Sequence, residues 1–316
     1  MQPVSFELKD DELPRTVFYE RLTQAVRQHP WYRELGATLL LPAEDTAQET
    51  NWPRYGDPAS AYCRGNSPDL SQDGIFVRYL NSVARLAAGH PAKRILVVNM
   101  HPFVRLPQLF KPFSNVIVAD GSLASFERGA NPRTISMPAL PILGKGNGSG
   151  RPRTVLASFQ GAPSHSVRKA LGALHDGRHI IVRLIDPRNH AGRIDALAGK
   201  TDKAYESLLD ASVFSFVPRG DALFSYRLLE VMARGAIPVI LSDGWVLPFD
   251  RTVDWPSMSL SFHHEAVPRI PDILKTMSKA EVERMQMNVD RTYERVFANL
   301  DRIVDTLLSE TERIPK

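Results

Sequence analysis

The segment SFVPRGDALFSYRLLEVMARGAIPVILSDGWVLPFD, residues 215–250, decides how the chain is read. An apolar run, SVFSFVP (212–218), has the look of a buried strand, and Pro218-Arg219-Gly220-Asp221 can turn the chain after it. Asp221 is placed to cap a following helix. In that helix Leu223, Leu228, Leu229 and Met232 cover one face, while Arg227, Glu230 and Arg234 fall three and four apart on another. Gly235 stops it. AIPVILSD (236–243) is again strand-like and exits at Asp243-Gly244. A strand, a helix and a second continuously apolar strand make an α/β unit with a parallel sheet.

A helix that opens at the carboxyl end of a parallel strand turns free backbone N–H groups outward, where they favour an anion. Arg219 and Arg227 add charge and directed donors. Glu230 suits neighbouring hydroxyls, such as those of a ribose, better than it suits phosphate. Arg168, just past the turn at Gly161, is a third candidate cation at a strand end. The same spacing also fits an ordinary surface pair between Arg227 and Glu230, and Arg168 also fits a solvated arginine.

Outward from this segment the alternation continues. TVLASFQG (154–161), HIIVRLID (179–186) and SVFSFVP are predicted strands; SVRKALGALHD (166–176) and DKAYESLLDA (202–211) are predicted helices. Upstream, ATLLLPAED (37–45), RILVVNM (94–100) and NVIVAD (115–120) read as strands. TVFYERLTQAVRQH (16–29) and DGIFVRYLNSVARLAAG (73–89) have helical spacing, and 46–70 reads as a long surface segment. His101 and Asp120 follow two of these strands. GKGNGSGRPR (144–153) reads as an interdomain linker. The organisation expected is an α/β domain over 1–148, a second over 149–277, and a helical segment over 278–316 that packs back on the first.

The 316 residues and ordinary composition fit one large or two medium soluble domains, and a formal net charge of +4 without a basic stripe gives no support to nucleic acid binding. The single Cys63 makes no internal disulfide. No apolar run of about 18 residues spans a membrane, and MQPVSFELKDDELPR has no secretory pattern. A cytoplasmic location is therefore expected, and a lipid-linked acceptor with peripheral membrane contact is compatible with it. The G-x-x-x-x-G-K-[ST] and G-x-G-x-x-G fingerprints are missing, which argues against a P-loop ATPase and a dinucleotide oxidoreductase. His263 and His264 show no spaced companion that completes a metal set, so no metal is expected.

SVFSFVPRG, SYRLLEVMARGAIPVILSDGWVLPF and VDWPSMSLSF together resemble the C-terminal half of exostosin-like glycosyltransferases. TVLASFQG with Arg168 resembles the opening of the same domain. KRILVVNMHPF and NVIVADGSLASFERGANPRTISMP resemble the acceptor-side half more loosely. The resemblance implies a GT-B fold: two Rossmann-like α/β domains facing a cleft. It implies inverting transfer of a sugar from a nucleotide-sugar, commonly a UDP-sugar, to a hydroxyl of a glycan or lipid-linked saccharide. It puts Arg168, Arg219 and Arg227 at the donor diphosphate, with Gly220 in the same turn, and Glu230 at the ribose. The resemblance also implies that Asp243, Gly244 and Trp245 line the donor pocket. One departure touches the acceptor side: His90-Pro91-Ala92-Lys93 stands where family members often carry Gly-Lys-Asn-His.

Such a transfer needs a base for the acceptor proton and positive groups for the departing diphosphate. No D-x-D motif is present, so the arginines are expected to act without a divalent ion. Asp120, His101 and Glu127 are the candidate bases, each equally readable as a structural loop residue. Arg105, Lys111 and Arg128 fit an anionic glycan or a solvated surface. Two alternatives stay open: a sugar-nucleotide epimerase, and a non-catalytic glycan-binding or scaffold protein on the same fold.

Overall fold

Runs such as ILVVN and VIVAD have no polar alternation, so both faces of each strand need cover, and a parallel sheet between helices supplies it. The computed structural model describes residues 39–42, 75–99, 106–139, 145–146, 152–185 and 202–315, with 22, 25–26 and 28–29. Its chain divides into two units: 1–137 with 246–252 and 300–316, and 138–245 with 253–299. His101, Arg105, Cys63 and the 46–70 segment lie outside the described residues.

The first unit holds β1 (Leu39–Pro42), β2 (Ile95–Asn99), β3 (Val116–Asp120) and β4 (Thr134–Ser136), all parallel and in the order β1-β2-β3-β4. Every residue of β2, β3 and β4 is buried. The helices α1 (Ile75–Gly89), α2 (Leu106–Leu109) and α3 (Ser125–Ala130) intervene. Val83, Ala87, Leu106 and Phe110 pack with β2 and β3 in one cluster. Each valine, leucine or phenylalanine among them taken fully from water contributes about 1.5–3 kcal/mol.

The second unit holds β5 (Val155–Gly161), β6 (Ile180–Leu184), β7 (Ser212–Pro218), β8 (Ile237–Leu241) and β9 (Leu260–Ser261). All pairs are parallel, in the order β6-β5-β7-β8-β9. Its helices are α4 (Ser166–Gly172), α5 (Lys203–Ala211), α6 (Arg227–Ala233), α7 (Ile270–Thr276) and α8 (Lys279–Thr292). Local chemistry sets their starts: Asp202 accepts from the N–H groups of Ala204 and Tyr205 at α5, and Ser278 accepts from Glu281 N–H at α8. Phe159, Phe214 and Phe216 form the centre of a core continued by Ile237, Val239 and Ile270.

The mixed α/β class with parallel sheets is as the sequence predicts, and among the described residues element ends agree within a few residues except at the start of α6 (Arg227–Ala233). The units depart from the segments 1–148, 149–277 and 278–316 in three places, the first being that 138–148 falls in the second unit. The helical segment is divided: α8 lies in the second unit, while α9 (Leu300–Arg313) lies in the first and buries Ile303, Val304, Leu307 and Leu308. Arg94, at the start of β2, holds the end of this segment by donating to the carbonyls of Glu312 (3.1 Å) and Ile314 (2.8 Å). Residues 246–252 also belong to the first unit. Val246 N–H donates to Leu123 O and Phe249 N–H to Ser136 O. Phe249 is fully buried at a φ of +52°, a conformation a bulky residue adopts only where its surroundings fix it. Among the described residues no helix is long and apolar enough to cross a membrane.

Candidate functional site

In the second sheet the connection from β5 leads outward to β6, and the next strand, β7, lies on the other side of β5. The chain reverses its direction of travel there. Helices on either side of such a reversal leave a crevice outside the carboxyl ends of the two strands. The residues read as donor-binding gather around this point.

Arg227 opens α6. Its Nε donates to Gln160 O, near the end of β5, at 2.8 Å, and its Nη1 forms an ion pair with Glu230 Oε2. Its guanidinium lies 4.5 Å from the centroid of the Tyr205 ring. Tyr205 Oη donates to the same Glu230 Oε2 at 3.0 Å. Glu230 is 2 % exposed and Arg227 24 %. Burial works against the charge on Arg227, but Glu230 and then Tyr205 outweigh it and raise its pKa. Burial raises the Tyr205 phenol well above its ordinary range. The pair is therefore a buried, hydrogen-bonded unit, and the surface-pair alternative is corrected by this burial.

Arg168 reaches the same strand ends from α4. It donates to Arg219 O at 2.8 Å, Ala162 O at 3.2 Å and Pro218 O at 3.3 Å. Its donors are thus engaged in holding the 218–219 turn, while its charge stays beside Arg219. Gly220 permits this approach: a Cβ there would lie 3.1 Å from Arg168 Nη2. Arg219 continues the ladder through its N–H to Leu241 O, and its side chain makes long contacts to the carbonyls of Gly220 (3.4 Å) and Asp221 (3.3 Å). Asp221 does not cap the helix. Residues 221–226 run as an irregular turn, and α6 starts at Arg227 with Tyr226 as its cap residue. Asp243, Gly244 and Trp245 follow β8; Gly244 has φ +76° and is exposed, and Trp245 is 8 % exposed.

Three participants escaped the sequence reading. Tyr205 comes from α5 and Gln160 from β5, neither marked by a motif. His165 caps α4, its Nδ1 accepting from Val167 N–H. Burial lowers its pKa, with Arg219, Arg168 and His264 adding to the effect. That combination puts His165 near both arginines and the end of β9.

The described candidate bases in the first unit are bound as braces. Asp120, 2 % exposed, accepts from Asn99 Nδ2 (2.7 Å) through Oδ2 and from Ser122 N–H (2.7 Å) through Oδ1. Glu127, 1 % exposed, accepts from Ala124 N–H at 3.0 Å and so closes the start of α3. Arg128 is not a free glycan contact: it forms a two-pronged bridge to Asp250 at 2.9 and 3.0 Å and also donates to Thr134.

The reading of His263 and His264 needs correction. Asp243 is their companion. Its Oδ2 contacts His264 Nδ1 and lies 3.5 Å from His263 Nε2. The partner was hidden because it follows the neighbouring strand, β8. The 21-residue offset that pairs Ile240 with Ser261 sets Asp243 against His264.

The Exostosin GT47 domain matches residues 96–277. Exostosin-1 of Drosophila melanogaster is 32% identical over 158 residues, which are 47% of this chain and 20% of that protein. An Exostosin-1 homolog of Caenorhabditis elegans is 29% identical over 168 residues, covering 49% of this chain and 44% of that protein. The chain thus spans less than half the length of these relatives. A glycosyltransferase from Rickettsia africae ESF-5 aligns with a TM-score of 0.49 at 13% identity, covering 96% of this chain and 97% of that one. With the domain matched over more than half of its residues, the chain belongs to the exostosin GT47 family.

Proposed function

We propose that this chain is an inverting glycosyltransferase that moves a sugar from a nucleotide-sugar, UDP-linked, to a hydroxyl of a glycan or lipid-linked saccharide, with no metal ion in the transfer step. The observation that carries the reading is the assembly of Arg168, Arg219 and the Arg227–Glu230–Tyr205 unit at the β5–β7 reversal. Family membership supports the reaction class. Two parallel α/β units are what a GT-B enzyme is built from.

In this reading the acceptor oxygen bonds to the anomeric carbon as the bond to the diphosphate oxygen breaks. The leaving diphosphate takes the electron pair, and the acceptor proton passes to a carboxylate. Arg219 is the guanidinium assigned to the diphosphate, because it stands in the turn directly after the carboxyl end of β7. Arg168 holds the Arg219 turn and contributes charge. Both bonds to Glu230 fall on Oε2, which leaves Oε1 for a ribose hydroxyl. Fixed positive groups at the leaving oxygens stabilise charge that develops in the transition state. Asp120 is the proposed base, standing at the carboxyl end of β3.

A nucleotide-sugar screen followed by linkage analysis of the product tests the reading. Saturable binding and sugar transfer that survive a chelator are expected. Arg219→Ala should weaken UDP about tenfold, the scale of one charge-assisted hydrogen bond, and leave uridine unchanged. Equal weakening of both ligands, or donor turnover without an acceptor product, overturns the proposal.

A further inference from the structure

The geometry points to a transition-metal site made by Asp243, His263 and His264 at the carboxyl ends of β8 and β9. Each residue offers one ligand atom, and the three atoms all lie within 4.8 Å of one another. The register of the parallel strands creates the group. β8 leads through Ser242 to Asp243, and β9 leads through Phe262, whose N–H still donates to Ile240 O, to the two histidines. Asp243 is thereby held beside both rings, whose centroids are 4.2 Å apart.

The distances suit an ion. Zinc sits about 2.0–2.2 Å from imidazole nitrogen and carboxylate oxygen, so ligands on a tetrahedral ion are about 3.3–3.6 Å apart. His263 Nε2 and Asp243 Oδ2 are already 3.5 Å apart. His264 Nδ1 and the same oxygen are in hydrogen-bond contact and need to separate by about 1 Å, within the reach of a side-chain rotation. His263 carries a further sign. While Nε2 faces Asp243, Nδ1 faces Glu265 Oε2 at 3.6 Å. That carboxylate is within side-chain reach of the non-ligating nitrogen, where metal-bound imidazoles commonly find an outer partner. The side chains are 57 % (His263), 53 % (His264) and 35 % (Asp243) exposed, so an ion from solution reaches them.

Two imidazoles and one carboxylate select zinc, cobalt, nickel or copper over magnesium and calcium, which prefer all-oxygen sites. Three protein ligands leave at least one position for water or another donor. The ion takes no part in the transfer step proposed above. The site rests on its own coordination chemistry, and its test uses the metal alone.

The full chain, stripped with a chelator, is titrated with Co²⁺ and followed by visible absorption, and then with Zn²⁺ as competitor. One equivalent of Co²⁺ should give a saturable band that Zn²⁺ removes and Mg²⁺ does not. His263→Ala and His264→Ala should each weaken the metal at least tenfold, and the double variant should lose the band. His179→Ala serves as a control and should leave it intact. The altered histidines are exposed, so circular dichroism of the double variant should match the parent. No saturable band in the parent, or a band that persists in the folded double variant, overturns the assignment.

Discussion

The carboxyl ends of the two sheets carry similar kinds of residue to different effect. In the second sheet the strand order reverses between β5 and β7, and Arg168, Arg219, Arg227 and Glu230 converge there. In the first sheet the described strands run β1-β2-β3-β4 without a reversal, and Asp120 and Glu127 are bound to nearby backbone and to Asn99. Topology makes the difference. A reversal separates two flanking helices and leaves polar groups facing a crevice, whereas strands laid down in order let each loop close on its neighbour. A charged side chain at a strand end is thus a weak sign of function until the strand order is known.

The largest effect expected from breaking this contrast is at Arg227. Arg227→Ala removes the partner of a carboxylate that is 2 % exposed. Leaving such a charge uncompensated costs about 3–5 kcal/mol. Urea unfolding should show the loss, and Glu230→Gln in the Arg227→Ala background should restore part of it. A loss below about 1 kcal/mol, the range of exposed pairs, would return this pair to the surface.

The next effect sharpens the first unit's side of the comparison. Asp120→Asn should keep UDP binding and lower kcat by a factor of about 100 or more, the ordinary range for a general base. The bonds from Asn99 and Ser122 make Asp120 a brace as well. The variant's folded fraction therefore has to be measured beside its rate. A rate that falls only in proportion to that fraction would make Asp120 a brace alone.

Much of this was legible in the sequence because burial on both faces writes itself as uninterrupted apolar runs. VIVAD, SVFSFVP and IPVIL each appear as strands where they were read. The i,i+3 spacing of Arg227 and Glu230 was legible for the same reason: helical neighbours are near in sequence. What sequence spacing does not encode is register between strands and the return of short segments to another unit. Tyr205 and Glu230 meet 25 residues apart, and Asp243 meets His264 across 21. The Val-Leu-Pro-Phe stretch sits beside the donor-side block in sequence, yet residues 246–252 belong to the first unit. Asp221 has the residue type of a cap, but the helix N-terminus forms six residues later, at Arg227.

Glu310 completes the comparison, because it shares the near-total burial of Glu230 without a close guanidinium. It lies on α9, is fully buried, and its Oε2 is 3.9 Å from Arg251 Nη1. Burial raises its pKa from an ordinary 4.5; Thr252, Arg251 and Arg128 offset this in part, and Asp250 adds to it. The sign follows. The folded state holds the proton more tightly than the unfolded state, so stability falls as pH rises from about 4.5 through the folded value. Glu310→Gln removes that slope. It should match the parent below pH 4.5 and exceed it by about 1 kcal/mol above the folded pKa, the size of an ordinary single-site change. Urea unfolding from pH 4 to 8 measures both. Neutralising Glu230 instead should destabilise, since Arg227 and Tyr205 bind its carboxylate. Two glutamates of nearly equal burial are thus expected to respond in opposite directions. If the parent does not lose stability with rising pH relative to Glu310→Gln, burial at Glu310 is not what sets its proton affinity, and the contrast between a closely paired and a distantly paired acid fails.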